Sequence, residues 1–326
     1  MSKRKKALIF GVTGQDGSFM ANLLCKKNYL VHGLVRKSST GNLKNILHLI
    51  KSKNFLIHHG DLLDTLSIER VIKKIKPDEI YNFADQDHVR WSFDIPWYSF
   101  DVTGNSVLKI LEIIRNHSPK SKFFQPFSSN MFANSRNKKQ NEKEIFSPLS
   151  VYGLGKVTAY YACQMYKSVY NLKIYGAIFY NHESEIRPEE YVTRKITKSV
   201  AKIYFGKQKR LFLGDIKAKI DWGYAGDYVE AAHKIMQLSK PEVFIISSGK
   251  SYTVEYFAKK CFQYVGLNYK KYLRVNKKLL RSSKTVTLVG DTYKAKKVFN
   301  FKIKTNLDKL ISIMMDNDLE KESKEK

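Results

Sequence analysis

Gly11, Gly14 and Gly17 stand at the spacing G-x-x-G-x-x-G, directly behind the apolar run at residues 7–10. They also head a helical pattern carried by Phe19, Met20, Leu23 and Leu24. That order of strand, glycine turn and helix leaves few folds open. In a strand–helix–strand unit the glycines permit a tight turn, close approach of backbone to a pyrophosphate, and close packing of helix on strand. The helix N-terminus then presents unpaired N–H groups to phosphate. The plainer reading, an ordinary glycine-rich turn, loses ground because the alternation continues along the chain. Gly11, Thr13, Gly14, Gln15, Asp16 and Gly17 are therefore candidate cofactor-binding residues.

Strands are expected at residues 30–35, 55–58, 79–83, 122–127 and 173–179, with helices around 67–74, 106–116 and 152–170. Apolar strands alternating with helices predict a Rossmann-type doubly wound parallel sheet of the α/β class. From residue 181 the pattern is less regular, with helices at 225–238 and 254–265 and a strand at 243–246, which suggests a smaller C-terminal α/β substrate lobe. The expected division is a Rossmann domain at 1–180 with some later segments returning to it, a mainly substrate-binding lobe at 181–316, and a charged, solvated tail at 317–326.

The 58 Lys and Arg against 30 Asp and Glu give a net charge of +28, which at first suggests a polyanionic partner. Only eleven of the 58 are arginine, whereas readers of nucleic acid lean on the planar arginine fork. The excess reads as a lysine background, and no nucleic-acid partner is expected. Cys25, Cys163 and Cys261 are scattered without metal-ligand spacing, which excludes a disulfide framework and suits a reducing cytoplasm. The run at 7–10 is too short for a secretory core or a membrane span, so no membrane partner is expected. His58 and His59 are neighbours that point to opposite faces of a strand, and no metal is expected.

The end of the second strand refines the cofactor. A site for NAD usually has an acidic residue there; this chain has Arg36-Lys37-Ser38-Ser39, which suits a 2′-phosphate and favours NADP over a merely basic loop. Asp61 and Leu62 are placed to meet the adenine, and Ala84, after Asn82-Phe83, to pass beneath the cofactor. Tyr152 and Lys156 lie four apart on one helix face. An ammonium beside a phenol lowers the phenol's pKa and prepares it as a base. Chance pairs of this kind are common among 20 tyrosines, but this one follows the fifth strand and Ser128-Ser129.

Together these motifs resemble the extended short-chain dehydrogenase/reductase superfamily and, within it, the GDP-mannose 4,6-dehydratase family. The resemblance runs from about residue 7 to 301. It is carried also by Gln86-Asp87-His88-Val89 and Asp221-Trp222-Gly223, and its most particular stretches are Asn181-His182-Glu183-Ser184 and Thr193-Arg194-Lys195 within Val192–Ile196. It implies an NADP-dependent nucleotide-sugar enzyme of the lyase class. In such a cycle a hydride leaves sugar C4 as Tyr152 takes the hydroxyl proton with Lys156 and Ser128 assisting, water is eliminated across C5–C6, and the hydride returns at C6. By the same likeness Arg36, His182 and Arg187, with Tyr152 and Lys156, contact the cofactor. Asp87, Asn181, Val192, Lys195 and Arg281 hold GDP-mannose or a related GDP-sugar. The family's tetramers further imply a homodimer or homotetramer.

The departures bear on the second half of that cycle. The family's Thr-Ser-Glu is Ser128-Ser129-Asn130 here, and an amide cannot accept the C5 proton as a carboxylate does. Ile220 and Lys284 replace an Arg and a Glu expected at the nucleoside, and Gly-Ala-Gln has become Ala84-Asp85-Gln86. Asp85 or Asp87 could stand in as the base, although a chance acidic loop is the plainer account. Two alternatives follow: a nucleotide-sugar 4-keto reductase, C4 dehydrogenase or epimerase without the dehydration step, and a catalytically impaired NADP-binding homologue.

Overall fold

The computed structural model describes residues 4–279 and 286–325. The chain runs β1 Lys6–Phe10, α1 Gln15–Lys26, β2 Leu30–Val35, α2 Leu47–Ile50, β3 Phe55–His59 and α3 Thr65–Ile75. Then come β4 Glu79–Asn82, α4 Trp91–Asp94, α5 Pro96–Phe100, α6 Ser106–His117, β5 Lys122–Ser128, α7 Val151–Tyr170 and β6 Lys173–Phe179. Beyond these lie β7 Asn181–Glu183, α8 Val192–Tyr204, β8 Leu211–Leu213, β9 Lys219–Ile220, β10 Trp222–Tyr224 and α9 Ala225–Met236. The last are β11 Val243–Ile246, β12 Tyr252–Thr253, α10 Val254–Tyr264, α11 Tyr269–Tyr272, β13 Leu273–Val275, α12 Tyr293–Phe299 and α13 Leu307–Lys324.

Seven strands form one parallel sheet in the order β11-β6-β5-β4-β1-β2-β3. Successive side chains of a strand point to opposite faces, so apolar residues at every position serve two cores at once. Ala7, Ile9, Val31, Tyr81 and Phe124 enter one core; their neighbours Leu8, Phe10, Leu34, Ile80 and Phe123 enter the other. Helices α1 and α9 cover the first face, and α3, α6 and α7 the second.

Two expectations are corrected. Residues 243–246, read within the C-terminal lobe, are β11 and extend the main sheet, pairing Val243 with Gly176 through Ile246 with Phe179. Residues 317–324, read as a solvated tail, continue α13. That helix is capped by Asn306, whose side chain accepts from the Lys309 N–H, and it turns Leu307, Leu310, Ile311, Met314 and Met315 into a third core with Ile196, Val200, Trp222 and Phe257. Asp318 and Glu322 are buried on the same face, answered by ion pairs to Arg194 and Lys207. Charge count alone hid this face because two of its inward residues are acids.

Candidate active site

The order in which successive strands are added to the sheet reverses between β1 and β4, and crevices for ligands open at such points. Gly11 leaves β1 with φ of 71°, and a Cβ there would lie 2.6 Å from the Phe83 carbonyl oxygen and the Ala84 nitrogen. Only glycine lets the two loops approach this closely. Gly14 caps α1 without a side-chain bond, leaving first-turn N–H groups for an anion.

Gln15 and Asp16 reach across to β7. Gln15 Oε1 accepts from Ser184 Oγ at 2.6 Å, and Asp16 Oδ2 lies 2.8 Å from His182 Nε2. Burial works to raise the Asp16 carboxyl, but the charge and hydrogen bond of His182 outweigh it and hold the group below its ordinary value. His182 is the counterpart: burial works against its charge, yet Asp16 lifts it above the usual imidazole range. The Thr13 carbonyl accepts from Asn45 Nδ2 at 2.9 Å. Arg36 donates to the Tyr98 hydroxyl at 3.0 Å, drawing α5 towards the end of β2. Asp61 accepts from the Leu63 N–H at 2.9 Å beside buried Leu62. The bare glycine backbone, the free helix N-terminus and the cation after β2 fit a phosphate-bearing dinucleotide.

The chemistry-bearing residues converge at the ends of β4 and β5. Ser128 ends β5 and accepts from Asn130 twice, from its N–H at 3.2 Å and from Nδ2 at 3.3 Å. Ser150 caps α7 by accepting from the Gly153 N–H at 3.0 Å, which starts the helix just ahead of Tyr152. Tyr152, Lys156 and Ser128 are all buried, and Ser128 hydrogen-bonds to the Tyr152 hydroxyl. Lys156 Nζ donates to the Pro126 carbonyl at 2.9 Å and lies 2.5 Å from Asp85 Oδ2. Asp85 Oδ1 in turn accepts from Thr103 Oγ1 at 2.6 Å and from the Gln86 N–H at 2.9 Å. Gly155 makes this possible, since its ideal Cβ would come within 3.0 Å of Thr103 Cβ, so a bulkier residue would push away the π-helical turn Asp101–Asn105.

This arrangement differs from the expectation that Lys156 lowers the phenol. Burial first, then the charges of Asp85 and Asp87, push Tyr152 well above its ordinary value, opposed by the Ser128 bond and by Arg187.

Arg187 forms the facing wall. Its guanidinium lies 3.5 Å from the centroid of the Tyr191 ring, 3.3 Å from Asp87 and 3.5 Å from Glu183. Burial pushes the Glu183 carboxyl up despite Arg187 and despite the bond from Thr193 Oγ1 at 2.6 Å. Asn181 is exposed at the head of β7, and Val192 and Lys195 are half-buried in the first turn of α8. Ile220 is half-buried and pairs with Tyr252. Arg281 and Lys284 lie outside the described residues. Thr103, Glu183 and Tyr191 were not singled out from the sequence as site residues; only the Glu183-containing motif offered a signal. No group of three or more His, Cys, Asp or Glu among the described residues could hold a metal ion.

A seven-stranded doubly wound sheet, a glycine turn at its switch point and a Tyr-x-x-x-Lys helix beside Ser128 define a short-chain dehydrogenase/reductase architecture. Solved structures agree in fold. UDP-glucose 4-epimerase from Thermotoga maritima superposes with a TM-score of 0.85 at 21% identity, covering 98% of this chain and 99% of that one. The dTDP-glucose 4,6-dehydratase from Bacillus anthracis gives 0.84 at 19%, covering 98% and 97%. The family model for GDP-mannose 4,6 dehydratase matches residues 8–314. GDP-mannose 4,6 dehydratase 1 of Arabidopsis thaliana is 41% identical over 333 residues, 99% of this chain and 92% of that protein. The Homo sapiens GDP-mannose 4,6 dehydratase is 37% identical over 342 residues, 97% and 92% of the two chains. The chain belongs to the GDP-mannose 4,6-dehydratase family.

Proposed function

We propose that this protein is a lyase acting on GDP-mannose or a related GDP-sugar, with a bound nicotinamide dinucleotide, NADP in preference to NAD. The observation that carries the reading is the convergence of Ser128, Tyr152 and Lys156 at the mouth of the glycine cradle, in a chain that matches the family along its length. Gly11, Gly14 and Gly17 would cradle the pyrophosphate, and Arg36 with Ser38 would face the ribose phosphate. When bound, the nicotinamide supplies hydride acceptance and return. Tyr152 exchanges a proton with the sugar C4 oxygen, and Ser128 shares a hydrogen bond with that phenol. Asn181, Val192 and Lys195, with Asp87, would hold the sugar nucleotide, and His182 and Arg187 would contact the cofactor, the Arg187–Asp87 pair joining the two parts of the site.

Asn130 favours a second reading. Its amide donates to Ser128 and has no proton-accepting carboxylate to offer C5, so the site retains its C4 hydride machinery while its elimination step is weakened. A 4-keto reductase, C4 dehydrogenase or epimerase needs only the retained part.

Incubation with NADP and GDP-mannose, followed by mass analysis for a 4-keto-6-deoxy product, separates the two. Under the first reading product forms, and Asn130→Glu raises the rate by about 10²-fold or more. Oxidation of NADPH by a 4-keto sugar without any 6-deoxy product would replace it with the second.

The exposed apolar residues Leu154, Tyr161 and Met165 on α7, with Trp97 on neighbouring α5, suit a homodimer built on that face. No helix among the described residues is long and apolar enough to cross a membrane. Free Cys25, Cys163 and Cys261 accord with a cytoplasmic site of action.

A further inference from the structure

Lys156 is the residue on which the sequence reading and the geometry disagree most. Its ammonium is held by two acceptors, the Pro126 carbonyl and the half-buried Asp85, and its Nζ stands 5.7 Å from the centroid of the Tyr152 ring. Asp85 is itself fixed from two sides, by Thr103 and by the Gln86 N–H, so it cannot swing away without leaving Thr103 unpaired. The groups facing the phenol are Asp85 and Asp87 from the loop after β4, Ser128 from β5, Arg187 and Tyr191 from the segment before α8, and Lys156 on its own helix. One of its two nearby cations is thus neutralised by Asp85, and the other, Arg187, is shared between Asp87 and Glu183.

We propose that Asp85 is a positioning residue of the hydride-transfer site, holding the Lys156 ammonium in a clamp with Pro126 and so leaving the Tyr152 phenol set as a proton donor. The inference rests on the reading of the site given above for its consequence. The protonated phenol is the form that acts in the reductive half-reaction at C4. There the C4 carbonyl carbon receives a hydride from the reduced dinucleotide as the carbonyl oxygen takes the Tyr152 proton. The products are a C4 hydroxyl, the oxidised dinucleotide and a tyrosinate that solvent reprotonates. A base standing free at neutral pH, as expected from a lysine beside the phenol, would act in the reverse half-reaction.

The test begins on the protein without cofactor. Asp85→Asn keeps an acceptor for Thr103 and Gln86 while removing the charge; Asp85→Ala, the residue type of the resembling family, is the second variant. In each background the alkaline absorbance titration of the Tyr152→Phe protein is subtracted, which isolates the Tyr152 phenol. Loss of Asp85 is expected to lower that midpoint by at least about one pH unit, and to raise the rate of C4 oxidation at neutral pH about tenfold. The pH at half-maximal oxidation should fall by the same interval.

An unmoved Tyr152 midpoint in either folded variant overturns the proposal. So does loss of elimination in Asp85→Asn with that midpoint and dinucleotide binding intact, which would make Asp85 the missing base. Failure of the wild-type protein to quench NADPH fluorescence overturns the function proposed above instead, and the titration still decides the role of Asp85.

Discussion

Glu79 opens β4 and Asp85 lies three residues beyond its end, so one strand carries two sheltered carboxylates to opposite ends of the sheet. Glu79 is held by Lys5 at 3.1 Å, by the hydroxyls of Tyr29 and Tyr81 at 3.2 and 2.8 Å, and by Gln237 Nε2 at 3.2 Å. Those partners come from the chain start, the turn before β2, β4 itself and the end of α9, and none belongs to the cleft. Asp85 has Thr103 and Gln86 on one oxygen and Lys156, the cation of the proposed active site, on the other. Both are hydrogen-bonded, Glu79 buried and Asp85 half-buried; the difference is that Lys156, the partner of Asp85, belongs to the proposed reaction site. A buried acid is therefore not diagnostic of function until its partners are followed to the end of the strands that bind ligands.

The comparison can be broken at either end. Tyr152→Phe should reduce turnover by about 10²–10⁴-fold while leaving dinucleotide binding and the unfolding midpoint near those of the wild type. A comparable loss of stability would mean that the cleft end is framework too. Glu79→Ala strands the Tyr29 and Tyr81 hydroxyls in the core and should cost about 1–3 kcal/mol in denaturant unfolding, with the rate per folded molecule unchanged. Altered kinetics in that variant would erase the distinction between the two carboxylates.

Acidity offers a smaller but sharper contrast. His32, bonded to His58 at 2.9 Å between β2 and β3, is depressed to about 4, first by burial and then by His58 and Lys6. The unfolded chain binds the proton more readily, so this group makes stability fall as pH drops from about 6.5 towards 4. His182 has the opposite sign, because its folded value is raised by Asp16 and its contribution is present in acid and lost as pH rises through that value. Unfolding midpoints measured from pH 4 to 8 should show His32→Gln flattening the acid limb and His182→Gln flattening the neutral one. Equal slopes in both variants would show that the two imidazoles are not distinguished by their partners.

Much of this architecture is legible in the chain because it is written at short range. The run at residues 7–10, the glycine triplet and the four-residue step from Tyr152 to Lys156 need no knowledge of distant contacts. That alternation implies the parallel, doubly wound class, while the strand order, with β11 on the outer edge beside β6, is set by contacts the pattern does not show. What escaped reading depends on separations that only the fold closes. Lys156 meets Asp85 across 71 positions, and Arg187 meets Asp87 across 100. Helical spacing pairs Lys156 with Tyr152, whereas in the fold the loop after β4 competes for it through Asp85. The end of α13 escaped for another reason: Asp318 and Glu322 are inward residues whose partners, Arg194 and Lys207, lie more than 110 residues earlier.

The late arrival of β11 has a consequence for biogenesis. During synthesis β6 is made and then waits for Val243–Ile246, some sixty residues later, before its outer edge is paired. At ribosomal rates of about 5–20 residues per second the nascent sheet carries an open parallel edge for roughly 3–13 s. Unpaired edges recruit other chains. That interval is the time in which a chaperone, or a stalled neighbour on the same message, competes with the last strand of the main sheet.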